Sequence, residues 1–294
     1  MFTSLLVGLD GSVQALAALA QAIQIGQRFR ARILLAHVFR AEAVGAGGSM
    51  GAAWMEWSSG GGPPTESELQ RAALEMLRDG AGAVARAGLE VETVSRTGEV
   101  VEVLRQLAEN VGVVVVGKVG VRGAMNPLAS DALGPDTREL IRRCPRPVLI
   151  TGTAPTPMDR VLVAYGGGPA SEGALAYAAR FAGITGAHLD VVHVGANPEE
   201  GRQALARASG ALSMMPLDFE LHLFEGEIDS AVRDALNRFG SNALFVGAQR
   251  EEQGWLVPSH TAAILRTTDI PVLVNMETVT PGVRTSAAHR RPSY

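Results

Sequence analysis

The chain has 294 residues, 47% hydrophobic and 19% charged, enough core for about two domains of roughly 100 to 150 residues each. A net charge of −4 and a pI near 5.9 give no basic footprint for nucleic acid, and no apolar run reaches the roughly 18 to 20 residues of a membrane span. A single cysteine, Cys144, excludes an intrachain disulfide, and the apolar stretch from Leu5 stops at Asp10, too short for a signal peptide, so a cytoplasmic protein is expected.

In chain order, Leu5-Leu6-Val7-Gly8-Leu9 is a short apolar run closed by Asp10-Gly11-Ser12. An Ala/Leu-rich stretch at helical spacing follows, to Arg28, with Asp10 and Ser12 as candidate caps. Leu34 to Val38 reads as a second strand. A glycine-rich segment, 45–64, then carries Met50, Trp54, Met55 and Trp57 and reads as a tolerated loop insertion rather than a lid. A helix is predicted over Thr65 to Ala87, and Gly98-Glu99-Val100 opens another. Val113 to Val116 is a buried strand closed by Gly117, and Pro147-Val148-Leu149-Ile150 is a short closing strand.

The order then begins again. Val161-Leu162-Val163-Ala164-Tyr165-Gly166-Gly167-Gly168 precedes a predicted helix from Pro169 to Phe181, and Asp190-Val191-Val192-His193-Val194 follows as a strand. Both segments stand 156 positions after their counterparts, and a constant offset across two elements signals duplication. Gly226-Glu227-Ile228, Ala243 to Val246 with Gly247, and Pro271-Val272-Leu273-Val274 complete the second copy. His37 to Gly98 spans 61 positions against 33 for His193 to Gly226, so the first copy carries 28 extra residues.

Each copy reads βαβαβαβαβ, the pattern of a five-stranded parallel doubly wound sheet, Rossmann-like, with helices on both faces. The expected domains are 1–151 and 160–276, joined by a linker from Gly152 to Asp159, with 277–294 as a disordered tail. The two closing strands are apolar sheet edges that need cover, and they are predicted to pair with each other. That pairing would make a pseudo-twofold single chain; a further homodimer stays open.

Doubly wound sheets bind ligands outside the strand carboxyl ends, where strand order reverses. Asp10 and Gly117 are expected to flank that crevice. Glycines there permit close backbone approach, and amides at a helix start accept phosphate oxygens.

The residues Leu6-Val7-Gly8-Leu9-Asp10-Gly11-Ser12, Leu35-Ala36-His37-Val38, Val115-Val116-Gly117-Lys118-Val119-Gly120 and Cys144-Pro145-Arg146-Pro147-Val148-Leu149 together resemble the universal stress protein family, in its tandem two-domain form. The resemblance implies an adenine-nucleotide-binding α/β fold with ATP or a related nucleotide as cofactor, in a stress-response protein without evident catalysis. Carried over residue by residue, the site in the first copy is Gly8, Leu9, Asp10, Val38, Val116, Gly117, Lys118, Gly120 and Gly134. The copy departs after Gly120: thirteen residues rather than nine precede Gly134, Pro135 stands where the family has Ser or Thr, and Asp131 and Asp136 add negative charge that Lys118 and Arg122 would offset. In the second copy Gly166 replaces the aspartate, Arg250 the second glycine and Pro258-Ser259 the Gly-Ser pair, with Glu251 and Glu252 in the loop. No ordinary ATP site is expected there. The alternative function is a regulatory or scaffold module that acts through protein contacts or another small ligand.

His37 and His193 occupy equivalent strand ends and are read as bonding to nearby backbone rather than as metal ligands, since no ligand cluster has the right spacing around either. No Gly-x-Ser-x-Gly elbow is present for nucleophilic catalysis. Cys144 reads as a buried, inert thiol.

Overall fold

The computed structural model describes residues 1–39, 65–120, 133–248 and 259–276. The glycine-rich insertion with its tryptophans, Arg122, Asp131, the loop with Arg250, Glu251, Glu252 and Pro258, and the tail lie outside the described residues.

The first half runs β1 (Ser4–Gly8), α1 (Val13–Phe29), β2 (Arg32–Phe39), α2 (Glu66–Arg86), β3 (Val91–Thr97), α3 (Val100–Ala108), β4 (Val113–Gly117), α4 (Pro135–Arg143) and β5 (Val148–Thr151). The second runs β6 (Arg160–Ala164), α5 (Pro169–Thr185), β7 (His188–Val194), α6 (Pro198–Leu212), β8 (Phe219–Phe224), α7 (Ile228–Phe239), β9 (Ala243–Ala248), α8 (Ser259–Thr267) and β10 (Val272–Met276). The strand–helix alternation read from the sequence is reproduced in both.

All ten strands form one sheet in the order β3-β2-β1-β4-β5-β10-β9-β6-β7-β8. Every pairing is parallel except the central one, where β5 and β10 run antiparallel with Val148, Leu149 and Ile150 opposite Val274, Leu273 and Val272. The predicted pairing of the closing strands is therefore present, and it hides both edges inside the sheet.

Helices pack on both faces because the inner strands carry apolar residues toward both. Leu5, Leu6 and Val7 are each fully buried, and neighbours along the strand face opposite sides. Helix α1 starts where the Ser12 hydroxyl accepts from the Ala15 amide at 3.1 Å, and it ends at Arg30 in the left-handed region. Its buried stripe, Ala15, Ala18, Leu19, Ala22 and Ile25, follows the helical period. Helix α2 begins with a complete capping box of Thr65 and Glu68.

One core spans the seam between the halves. Phe2 and Phe29 of the first half meet Phe181 of the second at ring separations of 5.6 Å each. The linker is pinned as well: buried Gln21 donates to the Thr156 carbonyl at 3.0 Å and accepts from the Thr156 amide at 2.7 Å.

Candidate functional site

Strand β1 lies between β2 and β4, so chain order reverses at the β1–β4 boundary and a crevice opens at their carboxyl ends. Gly8, Leu9, Asp10, Val38, Val116, Gly117, Gly120 and Gly134, all singled out from the sequence, line it. Val100 and Leu104 of α3 and Leu140 of α4 add apolar wall that motif reading did not identify.

Asp10 sits in the turn between β1 and α1. One carboxylate oxygen, Oδ1, accepts from the Ser12 amide at 3.0 Å and from the Ser12 hydroxyl at 2.6 Å. The other, Oδ2, faces Gly120 so closely that a Cβ on residue 120 would stand 2.6 Å from it. A side chain at 120 would fill this cradle, which explains the glycine without appeal to backbone strain.

His37 is buried beneath the same turn. Its Nδ1 lies 2.7 Å from the Leu9 carbonyl, which can only accept, so Nδ1 carries the proton and the buried Nε2 is left without a hydrogen-bond partner. Burial holds the imidazole below its ordinary pKa, against the opposing pulls of the Leu9 carbonyl and the Asp10 charge. His193 repeats the contact, its Nδ1 2.9 Å from the Tyr165 carbonyl, so both histidines bond to backbone as read from the sequence.

The phosphate end of the motif is arranged differently. Gly134 caps α4, but its amide is taken by the Lys118 carbonyl at 3.0 Å. Pro135 has no amide to offer, Asp136 stands in the first turn, and the Thr137 hydroxyl donates to the Gly117 carbonyl at 3.1 Å. Lys118 is not among the residues lining the crevice. Its ammonium donates to the main-chain carbonyls of Arg266 and Thr268, at 3.1 and 3.2 Å, around the end of α8 in the other half.

Gly117 has a packing role. A Cβ there would fall 2.6 Å from Gln14 Cβ, because α1 crosses directly over the end of β4. Gly247 does the same at the end of β9, where a Cβ would fall 2.2 Å from the Ala170 and Ser171 backbone of α5.

The equivalent crevice of the second half is apolar, lined by Tyr165, Val192, Val194, Val232 and Ile264 among others. Tyr165 stands where the first half has Leu9. It is buried, and its hydroxyl bonds the Glu172 carboxylate; burial and that bond push its pKa up to about 12. Gly166, in the place of Asp10, has open space where a Cβ would project. Nothing steric therefore excludes a carboxylate at this position.

Among the described residues, no helix is long and apolar enough to cross a membrane. A family model described as the Universal stress protein family matches residues 1–152 and 157–275. A universal stress protein of Synechocystis sp. is 28% identical over 194 residues, a match covering 64% of this chain and 66% of that protein's length. Among solved structures, a universal stress protein from Archaeoglobus fulgidus superposes with a TM-score of 0.73 at 19% identity, over 94% of this chain and 97% of that one. A functionally unknown protein from Pseudomonas aeruginosa gives 0.67 at 22%, over 93% and 92%. At these identities the structural likeness is one of fold.

Proposed function

Given that the chain belongs to the universal stress protein family, we propose that its first half binds an adenine nucleotide, ATP or a relative, in the crevice between β1 and β4, and that it does so without turnover. The observation that carries this reading is the cradle of Asp10 and Gly120, where the carboxylate and the second motif glycine leave no room for a side chain. Asp10 would accept from a ribose hydroxyl or the base, with Val38 and Val116 as apolar floor. The orphaned Nε2 of His37 gives the same buried region an unsatisfied polar atom. The two units are taken as 1–151 and 160–276, in a cytoplasmic protein whose one thiol, Cys144, is buried.

A second reading rests on the phosphate end. The Gly134 amide and the Lys118 ammonium are both engaged elsewhere, and Pro135 lacks a donor. Those facts favour a module that has given up triphosphate recognition and acts through another small ligand or a protein contact.

Equilibrium binding of ATP, ADP, AMP and adenosine to the full chain separates the two. The nucleotide reading expects saturable binding at or below millimolar ligand, lost in Asp10→Ala and retained in Ser12→Ala, which removes the cap hydroxyl while keeping the carboxylate. No saturable binding of any of the four, or equal affinity in Asp10→Ala, would sink it. Phosphate release above a protein-free blank would overturn the absence of turnover.

A further inference from the structure

Far from the crevice, the second half has an ionisable cluster that the first lacks. Asp190 on β7 is completely buried within the sheet, yet its carboxylate meets three basic side chains. His222 Nε2 lies 3.0 Å and His188 Nε2 3.5 Å from Oδ1, while Arg160 reaches Oδ2 at 3.4 Å. Strand register explains the convergence: Asp190 pairs with Leu162 of β6 and Glu220 of β8, and residues two apart share a face. Arg160, His188, Asp190, Glu220 and His222 therefore project to the same side.

The duplication supplies an internal comparison. By register and offset, the first-half counterparts of Arg160, His188, Asp190 and His222 are Ser4, Arg32, Leu34 and Val94. Where the first half has leucine and valine, the second has aspartate and histidine at diagonal positions of neighbouring strands, polar groups in place of apolar ones. Burying a carboxylate is unfavourable unless something specific satisfies it.

Hydrogen bonding does not satisfy the whole cluster. His188 Nδ1 lies 2.8 Å from the Asp218 carboxylate, which requires the proton on Nδ1. Nε2 of the same ring stands 3.5 Å from the Asp190 oxygen, and this buried nitrogen has no hydrogen-bond partner. A second ring proton or a metal cation beside Asp190 would each supply the missing positive charge.

We propose that Asp190, His222 and Glu220 bind one zinc-class divalent cation. One donor atom from each of the three lies within 4.8 Å of the others. The contacts from Asp190 to His222 and from His222 to Glu220 measure 3.0 and 3.7 Å. The edge of a tetrahedron with metal–ligand bonds of about 2.0 to 2.2 Å is about 3.3 to 3.6 Å, close to these separations. One imidazole and two carboxylates, with water in the fourth position, form a donor set suited to that class of metal. Carboxylates of Asp190, Asp218 and Glu220 against the Arg160 guanidinium leave two excess negative charges, which a dication balances. This site is independent of the nucleotide reading.

The test titrates the full chain, stripped by chelator, with Co²⁺ followed by visible absorption and with Zn²⁺ followed calorimetrically. One equivalent should bind, with the intense ligand-field bands of a tetrahedral Co²⁺ centre. His222→Gln and Glu220→Gln should each weaken binding at least tenfold, while His193→Gln leaves it unchanged. Glu220 is mostly exposed, at 64%, so its variant keeps the protein folded and the test decisive even where a change beside Asp190 disturbs the sheet. No saturable binding, or undiminished affinity in either His222→Gln or Glu220→Gln, would overturn the proposal.

Discussion

Alanine in place of Gly247 should destabilise the protein more than alanine at Gly117, and alanine at Gly166 should cost nothing. At 247 the added Cβ would lie 2.2 Å from Ala170 C and Ser171 N, backbone atoms in the first turn of α5 that move only with the helix. At 117 the nearest atoms are Gln14 Cβ at 2.6 Å and Gln14 C at 2.9 Å. At 166 nothing lies within 4 Å, and the backbone there is outside the left-handed region. Carbon–carbon contact is optimal at about 3.5 to 4.0 Å, so α5 would have to lift by more than an ångström and α1 by somewhat less. Overpacking of this kind costs about 1 to 3 kcal/mol, with Gly247 toward the upper end. At about 2 to 4 °C per kcal/mol for chains of comparable size, Gly247→Ala should lose about 5 to 10 °C in Tm and Gly117→Ala about 2 to 6 °C. Gly166→Ala should melt at or slightly above the wild type, because alanine restricts the unfolded chain. Melts by circular dichroism at matched protein concentration give the ranking. A wild-type Tm for Gly247→Ala, or a loss at Gly166 as large as at Gly247, would refute the view that these glycines exist for helix approach.

Lys118→Met should lower stability by about 0.5 to 1 kcal/mol, the usual scale for a cation at a helix carboxyl end, and change nucleotide affinity less than twofold; a larger loss of affinity would return the ammonium to the crevice. His37 has a folded pKa below its unfolded value of 6.5, so its contribution to stability is complete above that pH and is lost as pH falls through the folded value. Urea unfolding between about pH 7.5 and 5 should therefore show a steeper acid loss in the wild type than in His37→Gln, and equal slopes would contradict the burial argument. Gly166→Asp should be accommodated with little change in Tm, since the site has room for the side chain; a loss comparable to that of Gly247→Ala would show the space to be illusory.

Local pattern made the repeated fold legible. A strand such as Leu5 to Val7 or Val272 to Val274 declares itself by apolar residues at successive positions, and the 156-residue offset survives because the elements on either side of it kept their lengths. The pairing of β5 with β10 followed from the same pattern, since apolar edges need a partner. Lys118 is the contrary case. Its place in the motif suggested the anion, but its long side chain is directed by α8, more than 140 residues away, and no local signal encodes that contact. Gly117 and Gly247 were visible as strand-ending glycines, whereas their reason, a helix crossing the strand end, depends on packing. Asp190 was visible as an acid inside an apolar strand. Its partners became apparent only with the register that aligns β6, β7 and β8.

The antiparallel seam explains how two such different sites coexist in one duplicated chain. Because β5 and β10 run in opposite directions, the carboxyl ends of the first half's strands share an edge of the sheet with the amino ends of the second half's strands. The Asp10 crevice stands at carboxyl ends, while Arg160 and His188 are the first residues of β6 and β7, so both sites open toward that edge. Lys118 crosses the seam there, which is why a residue after β4 can reach carbonyls that precede β10. From β1 to β7 there are six strand spacings, or roughly 29 Å at about 4.8 Å each. Sites so far apart with no shared side chain are expected to act additively. Saturating Co²⁺ should therefore leave nucleotide affinity unchanged, and Asp10→Ala should leave the Co²⁺ bands unchanged. The two halves thus differ at equivalent places: the first has Asp10 and an apolar Leu34 where the second has Gly166 and Asp190.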